Sequence, residues 1–93
     1  MYKLEHLGSA GIRILLYLYE NQNKILGTTE LIEALRMGRP TFYNKIRLMV
    51  MLDIVSVSKI SGKKILSLTE NGRKLAKLLF EAEMLLREII RNA

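Results

Sequence analysis

The spacing of apolar residues changes near Ile54, and this change restricts the fold more than any other feature of the chain. Before that point, apolar side chains recur every three or four residues, which is the period of a helix that buries one face. From Val55 to Ile60 they alternate with polar residues, and β-branched residues are frequent, as in a strand. The turn signal Ser61-Gly62 precedes a second short apolar run, Ile65-Leu66-Ser67-Leu68, which indicates a hairpin. The helical period then returns, so the predicted order is α-α-α-β-β-α.

The 93 residues suffice for one domain with one core, and we predict a single domain over 1–93. Gly38 and Pro40 separate the second and third helical stripes, because proline suits the first position of a helix. Thr69 is placed to cap the last helix. The fold class expected is mainly α with a β-hairpin, with helices over 9–21, 28–36, 40–52 and 70–92 and the hairpin over 54–68.

The second and third predicted helices, joined by a tight turn at Met37-Gly38, form a helix-turn-helix. The third helix would bury the line Phe42–Ile46–Met49. Because successive residues are rotated by about 100° around the helix axis, a group of polar residues then falls on or near the opposite face. Such a helix presents its N-terminal end and polar face to the major groove of DNA, which is wide enough to admit it. The residues expected to contact bases or nearby phosphates are Arg39, Pro40, Thr41, Tyr43, Asn44 and Arg47.

This polar face has a simpler interpretation, because the solvent side of any amphipathic helix is polar. The preceding helix, the tight turn and the following hairpin favour DNA binding over that interpretation. Tyr43 is the most informative residue, since an exposed aromatic ring beside the Asn44 amide has few structural uses. Its alternative is packing against the edge of the first helix.

The tip of the predicted hairpin carries a compact basic cluster, Lys59, Lys63 and Lys64. Such a wing can lie along the DNA backbone or enter the minor groove, where the negative potential attracts lysine and arginine. The alternative is that these lysines keep the turn in water and protect an edge strand from aggregation. We expect DNA contact, because the tip directly follows the third helix.

The last helix carries more leucine than the surface of so small a domain needs. Its first half, around Leu75, Leu78 and Leu79, is expected to pack on the first helix. Its second half would project beyond the core, and an exposed apolar stripe of that extent marks an association surface. We expect a two-fold homodimer, with the N-terminal segment as a further possible contributor. The interface residues expected are Ala82, Leu85, Leu86, Ile89 and Ile90.

Two alternatives remain for that helix. It can fold back into a larger monomer core, or it can lie on a membrane surface. Glu81, Glu83 and Glu88 argue against the membrane, because interfacial helices favour a basic polar face.

Composition excludes several classes of function. The net charge of +6, from fifteen basic and nine acidic residues, favours a polyanionic partner. The absence of cysteine excludes disulfides, thiolate zinc sites and cysteine nucleophiles. His6 is the single histidine and Asp53 the single aspartate, and neither belongs to a ligand cluster or to a nucleophile–base set. We therefore expect no enzyme activity, no metal and no cofactor.

The N-terminal residues lack the features of a signal peptide, and no stretch of about twenty apolar residues occurs. An intracellular, cytoplasmic location in association with DNA is therefore expected, with no membrane partner.

Four motifs, which occur in the same order along the chain, resemble those of winged helix-turn-helix regulators of the MarR type. In overall build, the chain resembles the short versions found in archaea and their viruses. They are 29–35 for the positioning helix, 38–46 for the recognition helix, 52–55 entering the wing, and Leu68-Thr69-Glu70-Asn71-Gly72-Arg73 leaving it. The Leu-Thr-Glu-x-Gly pattern in the last motif recurs at the wing-to-helix junction of this superfamily.

The resemblance implies a sequence-specific regulator of transcription that binds a pseudo-palindromic duplex DNA site as a homodimer. Larger family members have additional dimerisation helices around a ligand pocket. This chain is too short to contain them, so no small-molecule ligand is expected. The alternative function is a winged-helix adaptor that binds other proteins without reading DNA.

Overall fold

The computed structural model, which describes residues 1–93, contains four α-helices and a small antiparallel sheet. The predicted fold class, mainly helical with a hairpin and a long last helix, is confirmed. After a short 3-10 helix at Leu4–Leu7, the helices are α1 (Gly8–Glu20), α2 (Thr28–Leu35), α3 (Arg39–Met51) and α4 (Glu70–Arg91), and the strands are β1 (Leu26–Gly27), β2 (Val55–Ile60) and β3 (Lys63–Leu68).

The sheet contains a strand that the predicted order omitted. β1 pairs antiparallel with β3, with Leu26 opposite Leu66 and Gly27 opposite Ile65, so the strand order is β1-β3-β2. Two residues are too few to show an alternating pattern. This strand is defined only by its partner, and it fixes the hairpin against the start of α2.

The core lies between α1, α2, α3 and the inner face of the sheet. α3 contributes Phe42, Ile46 and Met49, with relative exposures of 0%, 7% and 0%, which is the buried line expected from spacing. Ile14 and Leu15 of α1 are fully buried because that helix is covered on several sides. This packing fixes the rotation of α3 and so determines which of its residues face water.

The turn between α2 and α3 is short because one residue takes a left-handed conformation. Arg36 has φ +51°, and the Met37 amide donates to the Ile32 carbonyl over 3.2 Å, which is the bonding pattern that ends many helices. α3 then begins at Arg39, one residue before the predicted start, and Pro40 lies in its first turn. The two helices therefore meet at an angle across a three-residue connection, Arg36–Gly38.

The junction between the wing and α4 depends on one threonine. The Gly72 amide donates to Thr69 Oγ1 over 2.9 Å, which confirms Thr69 as the N-cap. The same hydroxyl lies 2.6 Å from the Asp53 carbonyl oxygen and 3.0 Å from that of Ile54. The Thr69 amide also donates to the Ile54 carbonyl over 3.0 Å. One side chain thus joins the end of α3, the first strand of the wing and the start of α4.

We expect Thr69→Ala to lower the free energy of unfolding by about 1–2 kcal/mol, because the cap and the tie to residues 53–54 are lost together. Thr69→Ser keeps the hydroxyl and is the matched control, with an expected change below about 0.5 kcal/mol. Urea unfolding followed by circular dichroism measures both. Equal destabilisation by the two variants would show that the methyl group, and not the hydroxyl, matters.

Candidate nucleic-acid interface

The polar face of α3 is exposed and free of internal partners. Arg39, Pro40, Thr41, Asn44 and Arg47 are all solvent-exposed. None of their side chains makes a hydrogen bond or an ion pair within the chain, where the ion pairs are Lys74–Glu70 and Arg87–Glu83 on α4. Because Phe42, Ile46 and Met49 hold the opposite side in the core, this face is presented on a rigid helix. Its donors and acceptors are available to an external partner.

Tyr43 does not lie where the sequence placed it. The ring is half-buried and packs edge-on against Phe42, with centroids 5.5 Å apart and an interplanar angle of 87°. The expectation of an exposed aromatic ring was wrong, because packing against Phe42 covers part of the ring. The alternative interpretation, in which the ring packs against the protein, holds for Tyr43, although the neighbouring side chain is Phe42 and not a residue of the first helix. The ring supports the start of α3.

Lys45 makes a contact within the chain that the sequence did not reveal. Its ammonium group donates to the His6 carbonyl over 3.1 Å, and its side chain lies close to Gly8 and Gly11. The partners are 39 positions apart, so no local pattern could have shown the contact. Lys45 therefore anchors the N-terminal segment on α3, and this cation is occupied internally while Arg39 and Arg47 are not.

The wing concentrates like charge at its tip. Lys59 is paired directly with Lys64, and Ile60 with Lys63, around a turn in which Ser61 and Gly62 have φ of +52° and +81°. All three lysines are exposed and none forms an ion pair. Like charges directly opposite each other in a sheet are destabilising. A polyanion beside the wing would relieve that repulsion.

The tip of the wing also forms one wall of a polar groove whose other wall is the start of α2. The lining residues are Gly27, Thr28, Thr29, Glu30, Gly62, Lys63 and Lys64. β1 brings the two walls together by pairing with β3. Because β1 is too short to give an alternating sequence pattern, the proximity of Thr28 and Thr29 to Lys63 and Lys64 was not predicted. The groove extends the basic wing towards the helix-turn-helix.

The net charge of the chain arises from one segment, which contains α3 and most of the wing. Residues 36–64 contain seven basic residues and one acidic residue, Asp53, so they account for the whole net charge of +6. The rest of the chain holds eight basic and eight acidic residues. α3 and the two wing strands contain no carboxylate. The turn before α3, α3 itself and the wing are therefore positive, whereas the rest of the chain has no net charge.

The predicted dimer surface is exposed on the C-terminal half of α4. Leu85, Leu86, Ile89 and Ile90 have relative exposures of 57%, 55%, 56% and 63%, and Ala82 is also exposed. Leu78, expected to pack on α1, is instead 64% exposed. The contact with α1 is made on another side of the helix, where Phe80 packs against Tyr19 with ring centroids 5.4 Å apart. Leu78 therefore belongs to the exposed apolar stripe.

No group of three or more histidine, aspartate or glutamate side chains is arranged to hold a metal ion. None of the helices has the length and apolar character needed to cross a membrane.

Comparison with solved structures identifies the fold. MepR, a transcription regulator of the Staphylococcus aureus multidrug efflux pump MepA, superposes with a TM-score of 0.81 over 97% of this chain and 70% of its own, at 21% identity. The chain has a winged-helix fold. ZitR of Lactococcus lactis superposes with a TM-score of 0.83 over 95% of this chain and 67% of its own, at 19% identity. F-93 of the virus SSV1 gives a TM-score of 0.66 over 84% of this chain and 91% of its own, at 24% identity.

These comparisons confirm the resemblance to MarR-type regulators at the level of the fold. The chain spans about two thirds of the length of MepR and ZitR, and most of the length of F-93. No protein-family model matches the sequence, and no curated protein matches it significantly.

Proposed function

We propose that this protein binds duplex DNA in a sequence-specific manner and regulates transcription as a homodimer on a pseudo-palindromic site. The observation that carries the proposal is that residues 36–64 account for the whole net charge; they comprise the turn before α3, α3 itself and most of the wing. A positive surface restricted to one side attracts a polyanion and orients it. The exposed face of α3 gives that polyanion a helix of the size that the major groove admits.

The structural neighbours support this proposal. MepR is described as a transcription regulator, and a MepR–DNA complex superposes on this chain with a TM-score of 0.77 over 85% of it, at 22% identity. The neighbours are regulators and not enzymes, and no set of catalytic side chains argues for an enzyme here.

The roles of individual residues follow from their positions. Arg39, Thr41 and Asn44, near the start of α3, would reach base edges, where arginine reads guanine and asparagine reads adenine. Pro40 shapes the first turn, and Tyr43 is held beside Asn44 by its packing on Phe42. Phosphates would be neutralised by Arg47 and by the wing residues Lys59, Lys63 and Lys64.

Dimerisation is part of the proposal because one copy reads only one half-site. The exposed residues Ala82, Leu85, Leu86, Ile89 and Ile90 of α4 supply an apolar surface that a second copy would cover. A two-fold dimer would place its two α3 helices in successive major grooves, about 34–36 Å apart.

Salt dependence of binding provides the test. A duplex selected from a random pool, and read by sequencing for half-site symmetry, supplies the probe. If each protomer neutralises three or four phosphates, the slope of log affinity against log salt concentration should lie at about −5 to −7. A slope near zero, or selection of no sequence at all, would contradict the proposal.

A further inference from the structure

Five apolar residues of α4, four of them exposed, follow a seven-residue repeat. Leu75, Leu78, Ala82, Leu85 and Ile89 are separated by three, four, three and four positions, which is the spacing of a coiled-coil seam. We propose that two copies pair through this seam as an antiparallel coiled coil; this inference rests on the homodimer proposed above. In that pairing, Leu75 lies opposite the partner's Leu85 and Leu78 opposite the partner's Ala82.

Beyond Leu75, which is partly buried against the core, the seam is not used by the fold of one chain. The side of α4 that packs on the core carries Gly72 and Ala76, both buried, and Leu79, which is partly buried. At about 100° per residue, the seam is centred roughly a third of a turn away from that side. Leu78, Leu85 and Ile89 are 64%, 57% and 56% exposed. A second helix can therefore lie along the seam while the core contacts stay in place.

The length of α4 favours this register. The helix has 22 residues, from Glu70 to Arg91, and pairing Leu75 with the partner's Leu85 overlaps nearly all of them. Moving one helix along by one heptad would instead pair Leu78 with the partner's Ile89. That arrangement loses about one and a half turns of contact.

Charge selects between the same two registers. The positions that flank the seam on its solvent side are Lys74, Glu81 and Glu88, and in antiparallel pairs these flanking positions face each other. The register that pairs Leu75 with the partner's Leu85, called here the full-overlap register, places Lys74 beside the partner's Glu88. The two-fold axis repeats this contact, whereas Glu81 meets the partner's Glu81 once, on the axis. The shifted register sets Glu81 beside the partner's Glu88 twice and leaves Lys74 without a partner. Attraction therefore favours the full overlap.

An apolar groove next to the seam points the same way. It is lined by Tyr2, Lys3, Leu4, Leu7, Leu52, Ile54 and Leu75. Tyr2 and Leu4 are 53% and 51% exposed. In the full-overlap register, the apolar C-terminal turns of the partner's α4 pass Leu75 and reach this groove. The shifted register leaves it open to water.

Because the chain has no cysteine, engineered cysteine pairs report the register directly. One double variant is Leu75→Cys with Leu85→Cys, and the matched double variant is Leu78→Cys with Ile89→Cys. Within one helix the two positions of each pair lie about 15–16 Å apart, too far for a disulfide, so any bridge joins two copies. We expect rapid oxidation to a covalent dimer in the first variant, and at least about ten-fold slower oxidation in the second.

Each other outcome has a defined meaning. Faster oxidation of the second variant would establish the shifted register, and self-linking of single Leu75→Cys would establish a parallel pair. Slow oxidation of all variants, in a protein that sediments as a dimer, would place the interface elsewhere. Each of these overturns only the antiparallel register. A protein that sediments as a monomer would overturn the dimer itself, while DNA binding keeps its separate test in the salt titration.

Charge exchange tests the flanking contacts. Glu88→Lys should weaken the dimer about ten-fold, because two attractive contacts become repulsive. Adding Lys74→Glu should restore it, since the opposite charges face each other again. Sedimentation equilibrium measures both dissociation constants. Further weakening by the second substitution would contradict the register.

Discussion

Gly72→Ala should destabilise the fold by at least about 3 kcal/mol, the largest loss expected from any single added methyl group in this chain. A Cβ atom at this position would lie 1.9 Å from the Ile54 carbonyl oxygen and 2.9 Å from its carbonyl carbon. Both are backbone atoms, so no side-chain rotation can relieve the overlap. The start of α4 would have to move away from the wing, and this movement would break the Thr69 contacts with Asp53 and Ile54.

Gly38→Ala is the matched control, because the same atom is added at a second helix start. Gly38 has φ −66°, and the nearest atom to an added Cβ is Pro40 Cδ at 3.9 Å, so we expect a change within about 1 kcal/mol. Chemical denaturation of both variants, followed by circular dichroism, measures the difference. Similar small losses in the two variants would mean that the wing and α4 do not meet as closely as described.

Gly72 also illustrates what sequence can and cannot provide. It lies within the Leu68–Arg73 motif that carried the family resemblance, so its presence was noted from the sequence. The reason for a glycine there is a contact with Ile54, eighteen positions earlier. No periodicity encodes such a contact.

The elements predicted well are those whose burial repeats along the chain. α3 and α4 show a helical period because one face of each packs on the core over several turns. β3 shows the period of two because Leu66 and Leu68 are buried and Ser67 between them is exposed, whereas β2 is exposed beyond Val55. β1 has only Leu26 and Gly27 and shows no period. The sequence therefore predicted the wing but not the strand that holds it against the start of α2.

The sequence predicted which residues form the candidate site, but it did not predict their burial or their contacts within the chain. The exposure of Arg39, Asn44 and Arg47 follows from the buried line on the opposite side of α3. The partial burial of Tyr43 and the internal bond of Lys45 depend on where the core ends and where the N-terminal segment runs. Both are set by contacts between distant parts of the chain. Leu78 was misplaced for the same reason, since its period fits the core side and the exposed stripe equally well.

The second large effect concerns DNA. Arg47→Glu combined with Lys63→Glu and Lys64→Glu should reduce affinity for a selected duplex at least about 1000-fold at low salt. In the proposed complex, three cations that would face phosphates in each protomer become repulsive. These side chains are exposed and make no internal hydrogen bond or ion pair, so folding and dimerisation should stay intact. Fluorescence anisotropy measures affinity, and circular dichroism with sedimentation checks the other two properties.

The control for this variant must match its charge, because any fall in net charge weakens binding to a polyanion. Reversal of Lys24, Lys77 and Arg91 also takes the net charge from +6 to zero, but at exposed positions outside residues 36–64. We expect this control to lose less than about ten-fold in affinity and to keep the steep salt slope. Equal losses in the two variants would show that binding depends on total charge and not on this surface. Unchanged affinity in the first variant would favour the alternative function, a winged-helix adaptor for other proteins, because the basic face would then have no part in holding the duplex.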